Sequence, residues 1–95
     1  MLSYQKNRHV ENLDENKIYR ISRTRTLIQL GGLVAKSGLC EALQIKMGDD
    51  MQANKTNLDK ASTLLGAMVL MNNMIKEKGP EFIDELFLIG DPHLR

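Results

Sequence analysis

Residues 58–78 read LDKASTLLGAMVLMNNMIKEK. Leu58, Ala61, Leu64, Leu65, Met68, Met71 and Ile75 return every three or four residues, which puts them on one side of a helix turning about 100° per residue. The pattern holds for about five turns, with Thr56 or Asn57 as the expected N-cap and Gly79 as the stop. Helix is therefore the leading element. Composition agrees: the 95-residue chain has no Trp, two Tyr and two Phe, so Leu, Ile, Met and Ala are left to fill a core.

Working outward, Pro80 suits the first turn of a last helix whose Phe82, Ile83, Leu86, Phe87 and Ile89 point inward, and Gly90-Asp91-Pro92 is expected to end it. Upstream, a polar loop from Gly48 to Lys55 follows a short amphipathic helix, Leu39 to Met47, with Leu39, Leu43 and Met47 at i, i+4, i+8. Before it, Asn12 or Leu13 to Ser37 has no Pro and is helix-compatible, and Gly38 is placed to take the left-handed conformation of a C-cap. Leu27, Leu30, Gly31 and Val34 form one stripe there, and Ile21 and Ile28 a second, as in a helix with more than one neighbour. Gly31-Gly32 either breaks that helix or lets another backbone come close.

The expected fold is thus all-α: a small four-helix domain over residues 12–95, with Leu13–Ser37 and Leu58–Lys78 as the main antiparallel pair and residues 1–11 as a polar N-terminal arm whose order the sequence leaves open. At this size a monomer buries little more than about 60% of its unfolded surface, which favours a homodimer or other homo-oligomer. Gly31, Gly32 and Gly66 are candidates for close helix approach.

Several function classes fall away. There is no nucleophile elbow, phosphate-binding Gly loop, paired-Cys metal site or His cluster, so neither an enzyme, a cofactor nor a metal is expected. His9 and His93 lie near opposite ends, and Asp49-Asp50 lacks the alternating oxygen ligands of a calcium loop, so both read as surface features. The single Cys40 fits a reducing cytoplasm as a small apolar residue. The start MLSYQKNR lacks the apolar run of a secretory signal. The longest apolar stretch, Leu64 to Met71, would reach about 12 Å as helix, against a bilayer core of about 30 Å, so no membrane span is expected. Asn54-Lys55-Thr56 matches a glycosylation sequon and reads as a helix lead-in. Met68 and Met71 read as core, and Met74, off the stripe, as part of a second surface with Phe87.

Net charge is +1, yet residues 1–36 carry +4 and residues 37–95 carry −3. Between Lys17 and Thr26, the cations Lys17, Arg20, Arg23 and Arg25 stand among Ser22, Thr24 and Thr26 with no acid. Guanidinium and hydroxyl donors match phosphate oxygens, which makes these four the candidate DNA-binding residues. On one helix Arg20 and Arg23 share a face and Arg25 lies on the far side, so a flat surface would not use all of them. The plainer reading is a solubilising basic turn. A helix-turn-helix drawn through Ser37-Gly38 offers only Glu41, Gln44 and Lys46 to base edges, a poor set for a major-groove reader.

The stretch Arg23-Thr24-Arg25-Thr26-Leu27-Ile28-Gln29-Leu30-Gly31-Gly32-Leu33-Val34-Ala35-Lys36-Ser37-Gly38-Leu39 resembles the signature of small bacterial conjugal transfer proteins called TraD, the short type and not the large coupling ATPase of that name. Leu58-Asp59-Lys60-Ala61-Ser62-Thr63-Leu64-Leu65-Gly66-Ala67 is similar to a second block of the same family. Residues 40–57 read as longer than the family's usual joint, and residues 82–95 match no pattern of it. The resemblance implies an accessory of plasmid or mobile-element transfer, associated with DNA or the relaxosome through the basic helix, without enzymatic activity. The alternative is a helical adaptor that docks on a relaxase, coupling protein or other transfer component and leaves DNA alone.

Overall fold

A computed structural model describes the backbone of residues 2–95 and the side chains from residue 15 onward. It is all-α, with four helices and no strand among the described residues: α1 Leu2–Lys36, α2 Leu39–Ala42, α3 Lys55–Lys78 and α4 Pro80–Leu94. The chain divides into two units, Met1–Leu33 and Val34–Arg95, each described by itself.

The first unit is helix from Leu2 onward. α1 begins at Leu2, well before the Asn12 or Leu13 expected from the sequence. Nothing upstream of Gly31 would stop it, because residues 2–30 contain neither Gly nor Pro. The helix also runs through Gly31-Gly32, and a Cβ added at either would meet nothing within 4 Å. Between the two readings of that pair, a break is excluded and the room for close approach is unused. Ile21, Leu27, Ile28 and Leu30 are each at least half exposed, and of the two stripes only Val34 is half-buried.

The second unit is organised by its turns. Gly38, at φ 85°, closes α1 as expected, with the Ser37 and Gly38 amides donating to the Val34 and Ala35 carbonyls. α2 is four residues long, where the spacing predicted a helix to Met47. Gln44 ends it by taking φ 58°. Its amide donates to the Glu41 carbonyl at 3.0 Å and the Ile45 amide to the Cys40 carbonyl at 2.7 Å, the paired bonds of a Schellman ending. Glycine usually fills that position. Here the outward-turned Gln44 carbonyl accepts a 2.7 Å hydrogen bond from Lys60 Nζ on α3, a charge-assisted bond that ties the turn to the next long helix.

The acidic pair Asp49-Asp50 shapes the following loop. The Asp50 carboxylate accepts from the Gln52 amide at 2.9 Å, the bond of an Asx-turn, and the Asp49 carboxylate reaches back to accept from the Lys46 amide at 3.0 Å. The N-cap of α3 is Asn54, ahead of the expected Thr56 or Asn57, and its Oδ1 accepts from the Asn57 amide at 2.8 Å. Asn57 instead reaches back, donating from Nδ2 to the Asp50 carbonyl at 2.9 Å.

Gly79, at φ 79°, turns the chain directly into Pro80 at the start of α4, and α4 packs on α3. Lys78 Nζ sits 4.8 Å from the Phe82 ring centroid across that turn. α4 does not end at Gly90-Asp91-Pro92 but continues to Leu94. Pro92 falls in the final turn, and Arg95 supports the end through its amide on the Asp91 carbonyl, at 2.9 Å, and its Nε 3.0 Å from Asp91 Oδ1.

Among the described residues none is fully buried. Leu64, Ala67, Met74, Ile75, Phe82 and Leu86 are half-buried, whereas Met68 and Met71 are each 39% exposed. Met74, expected on a second surface, is thus half-buried, and Met68 and Met71, expected in the core, are only partly covered. Of the five α4 residues expected to point inward, Phe82 and Leu86 are half-buried, whereas Ile83, Phe87 and Ile89 are each more than half exposed. A Cβ added at Gly66, as at Gly31 and Gly32, would meet nothing within 4 Å, so Gly66 serves no close approach within this chain.

Two substitutions test this account of the turns. Gln44→Gly keeps the carbonyl for Lys60 and removes the left-handed strain, and should raise the unfolding free energy by about 1 kcal/mol in a urea titration. Asn54→Ala removes the α3 cap and should lower it by about 1 kcal/mol in the same titration.

Candidate nucleic-acid interface

The four candidate cations project from α1 at helical spacing, and all four are exposed. Because residues 16–36 hold Lys17, Arg20, Arg23, Arg25 and Lys36 and no acid, the helix has no internal partner to neutralise them C-terminal to Glu15. Among the described residues the ion pair present is Arg95–Asp91, far along the sequence from any of them.

Their geometry is not that of one flat patch. A shallow groove runs along α1 between the row Arg20, Thr24, Ile28 and the row Ile21, Arg25, Gln29. Arg20 and Arg25 therefore edge a common groove with an apolar floor, while Arg23 and Lys17 do not line it. The sequence pairs Arg20 with Arg23 on one face, and the structure adds the second association of Arg20 with Arg25 across the Ile21 and Ile28 stripe. That link was missed because angular separation alone takes no account of how far long side chains reach along the i, i+4 rows. The hydroxyl set is also smaller than the sequence implied, since Thr26 Oγ1 donates its proton to the Ser22 carbonyl at 3.1 Å. Thr24, in the groove, is the hydroxyl best placed beside the guanidiniums. Tyr19, next to Arg20, is 68% exposed.

A second hollow lies in the other unit, lined by Cys40, Glu41, Gln44, Ile45, Lys46 and Lys60 among others. Its Lys60 ammonium is already spent on the Gln44 carbonyl. No group of three or more His, Cys, Asp or Glu among the described residues is arranged to hold a metal ion. His93 is exposed in the last turn of α4, and the side chain of His9 lies outside the described residues. The four-residue α2 is too short to serve as a recognition helix in a major groove, which disposes of the helix-turn-helix drawn through Ser37-Gly38. No described helix is long and apolar enough to cross a membrane.

The family model described as conjugal transfer protein TraD matches residues 19–91 of the 95. The chain belongs to the TraD family of conjugal transfer proteins. Neither a curated protein nor a solved structure matches it. The match takes in Arg20, Arg23 and Arg25 and leaves Lys17 just outside. It also runs through residues 40–57 and most of α4, which the two resembling blocks did not reach. The loop built on Gln44, Asp49, Asp50 and Asn54 is therefore part of the TraD unit. So is most of the open face of α4.

Proposed function

We propose that this TraD-family chain is an accessory of conjugative DNA transfer that associates with DNA, alone or in the relaxosome, through phosphate contacts from Lys17, Arg20, Arg23 and Arg25. The observation that carries the reading is a stretch of helix with five exposed cations and no acid, most of it inside the family match. Such a helix supplies charge and bidentate donors, but no set of side chains suited to reading base edges, so the association is sequence-tolerant. Arg20 stands at the junction of two faces, with Arg23 on one and Arg25 on the other, so its loss weakens either docking mode. The reading assigns no catalytic step, cofactor or metal, and a DNA-facing role places the protein in the cytoplasm.

A second reading is favoured by the open apolar residues of α1 and α4: an adaptor that docks on a relaxase, coupling protein or other transfer component without touching DNA. Salt separates the two. In a fluorescence anisotropy titration on a labelled duplex, phosphate binding by three or four cations gives a slope of log K against log salt of about −3 to −4. Arg20→Ala with Arg23→Ala should weaken binding and flatten that slope by about two. No binding at low salt, or binding indifferent to the double substitution, eliminates the DNA reading and leaves the adaptor.

A further inference from the structure

Cationic and apolar side chains alternate around α1 in place of standing on opposite faces. One side is the groove, whose floor of Ile21 and Ile28 lies between Arg20 and Arg25. On the side away from it, Tyr19 and Arg23 stand at i and i+4, one turn apart in the same row. Ile21, Ile28 and Tyr19 are all exposed. Each side of the helix therefore offers a guanidinium next to open apolar surface. All of these residues belong to the first unit and to one helix, so α1 alone sets their mutual placement.

Phosphate binding by itself makes no use of that apolar surface. A duplex keeps its base faces stacked inside and shows a helix phosphates and groove edges, so it would satisfy the arginines and leave Tyr19, Ile21 and Ile28 with little to cover them. It is also stiff, with a persistence length of about 150 base pairs, and lies against one side of a helix only. A lipid surface has the same restriction, and it takes a helix whose cations are gathered on the face opposite the apolar one. A single strand differs on both counts. Its bases turn out and lie on apolar or aromatic side chains, and its backbone bends enough to pass from one side of a helix to the other.

We propose that α1 takes single-stranded DNA in preference to duplex, with bases lying on the Ile21 and Ile28 floor and on Tyr19 while Arg20, Arg23 and Arg25 hold the phosphates between them. The proposal rests on the reading that these cations meet phosphate, and adds the form of the DNA. It gives all three arginines a use in one complex, which a flat surface does not.

The test is a pair of anisotropy titrations of the full chain, on a labelled oligothymidine and on a labelled duplex of equal length, each at several salt concentrations. The oligothymidine should bind about tenfold tighter or more. Its slope of log K against log salt should be about −2 to −3, because single strands release fewer counterions per contact, so the preference widens as salt rises. Tyr19→Ala should weaken single-strand binding about tenfold and leave duplex binding unchanged, Tyr19→Phe should keep the affinity, and Ile28→Gln should act as Tyr19→Ala does. Circular dichroism confirms the helix content of each variant. Binding of neither DNA overturns the phosphate reading and this proposal together. A duplex bound as tightly as the single strand, or a single strand indifferent to both Tyr19→Ala and Ile28→Gln, overturns the proposal and leaves that reading standing. Sedimentation of the chain with phosphatidylglycerol vesicles that is lost in Ile28→Gln gives the stripe to lipid and likewise overturns it.

Discussion

Backbone hydrogen bonds within the helices are the interaction the rest of this structure depends on, and their ends are closed by glycines at positive φ and, at α3, by the Asn54 side chain. With none of the described residues fully buried, the hydrophobic term that dominates ordinary domains is only partly collected within the chain. Helices in proteins owe most of their stability to packing of an apolar face. A chain with open faces on both α1 and α4 therefore depends heavily on its turns, and the turns here are well made: Gly38 and Gly79 at positive φ, Asn54 capping α3, Asp49 and Asp50 holding the loop between.

The tie between Gln44 and Lys60 shows how that loop is fixed. A residue with a side chain is held at φ 58°, a conformation that costs about 1–2 kcal/mol for most residues, and the carbonyl so exposed is taken by a lysine sixteen positions on. Without it, the segment between α2 and α3 would be joined only by bonds of short range. The family match runs straight through this segment, which fits a loop that is part of the unit and not a spacer.

Much of the fold was legible in the sequence because helix period and glycine punctuation are local properties. The heart of α3, the Gly38 and Gly79 ends and the Pro80 start were readable for that reason. The differences arose where a signal had competitors. Leu39, Leu43 and Met47 share a helical face, yet the chain leaves the helix at Gln44, a residue that carries no mark of a turn. Thr56 and Asn57 looked like caps, but Asn54 bonds the Asn57 amide and so starts α3 earlier. Gly90-Asp91-Pro92 carries the marks of a stop, yet α4 continues to Leu94 with Pro92 inside its last turn. Met74 is half-buried and Met68 only partly covered because period fixes which residues share a face and leaves open which part of a broad face a neighbour covers. For the basic helix, the sequence supplied the cations and the structure divided them into two associations through Arg20.

The exposure of Tyr19 has a practical side. The chain has no Trp and only two Tyr, and Tyr19 projects from α1 beside Arg20 with two-thirds of its surface in water. Its phenol emission, undimmed by transfer to any indole, is a built-in optical reporter on the segment where DNA is proposed to arrive. Whatever covers α1 changes the solvent around that ring, so occupancy of the helix can be followed on the unlabelled, unaltered protein.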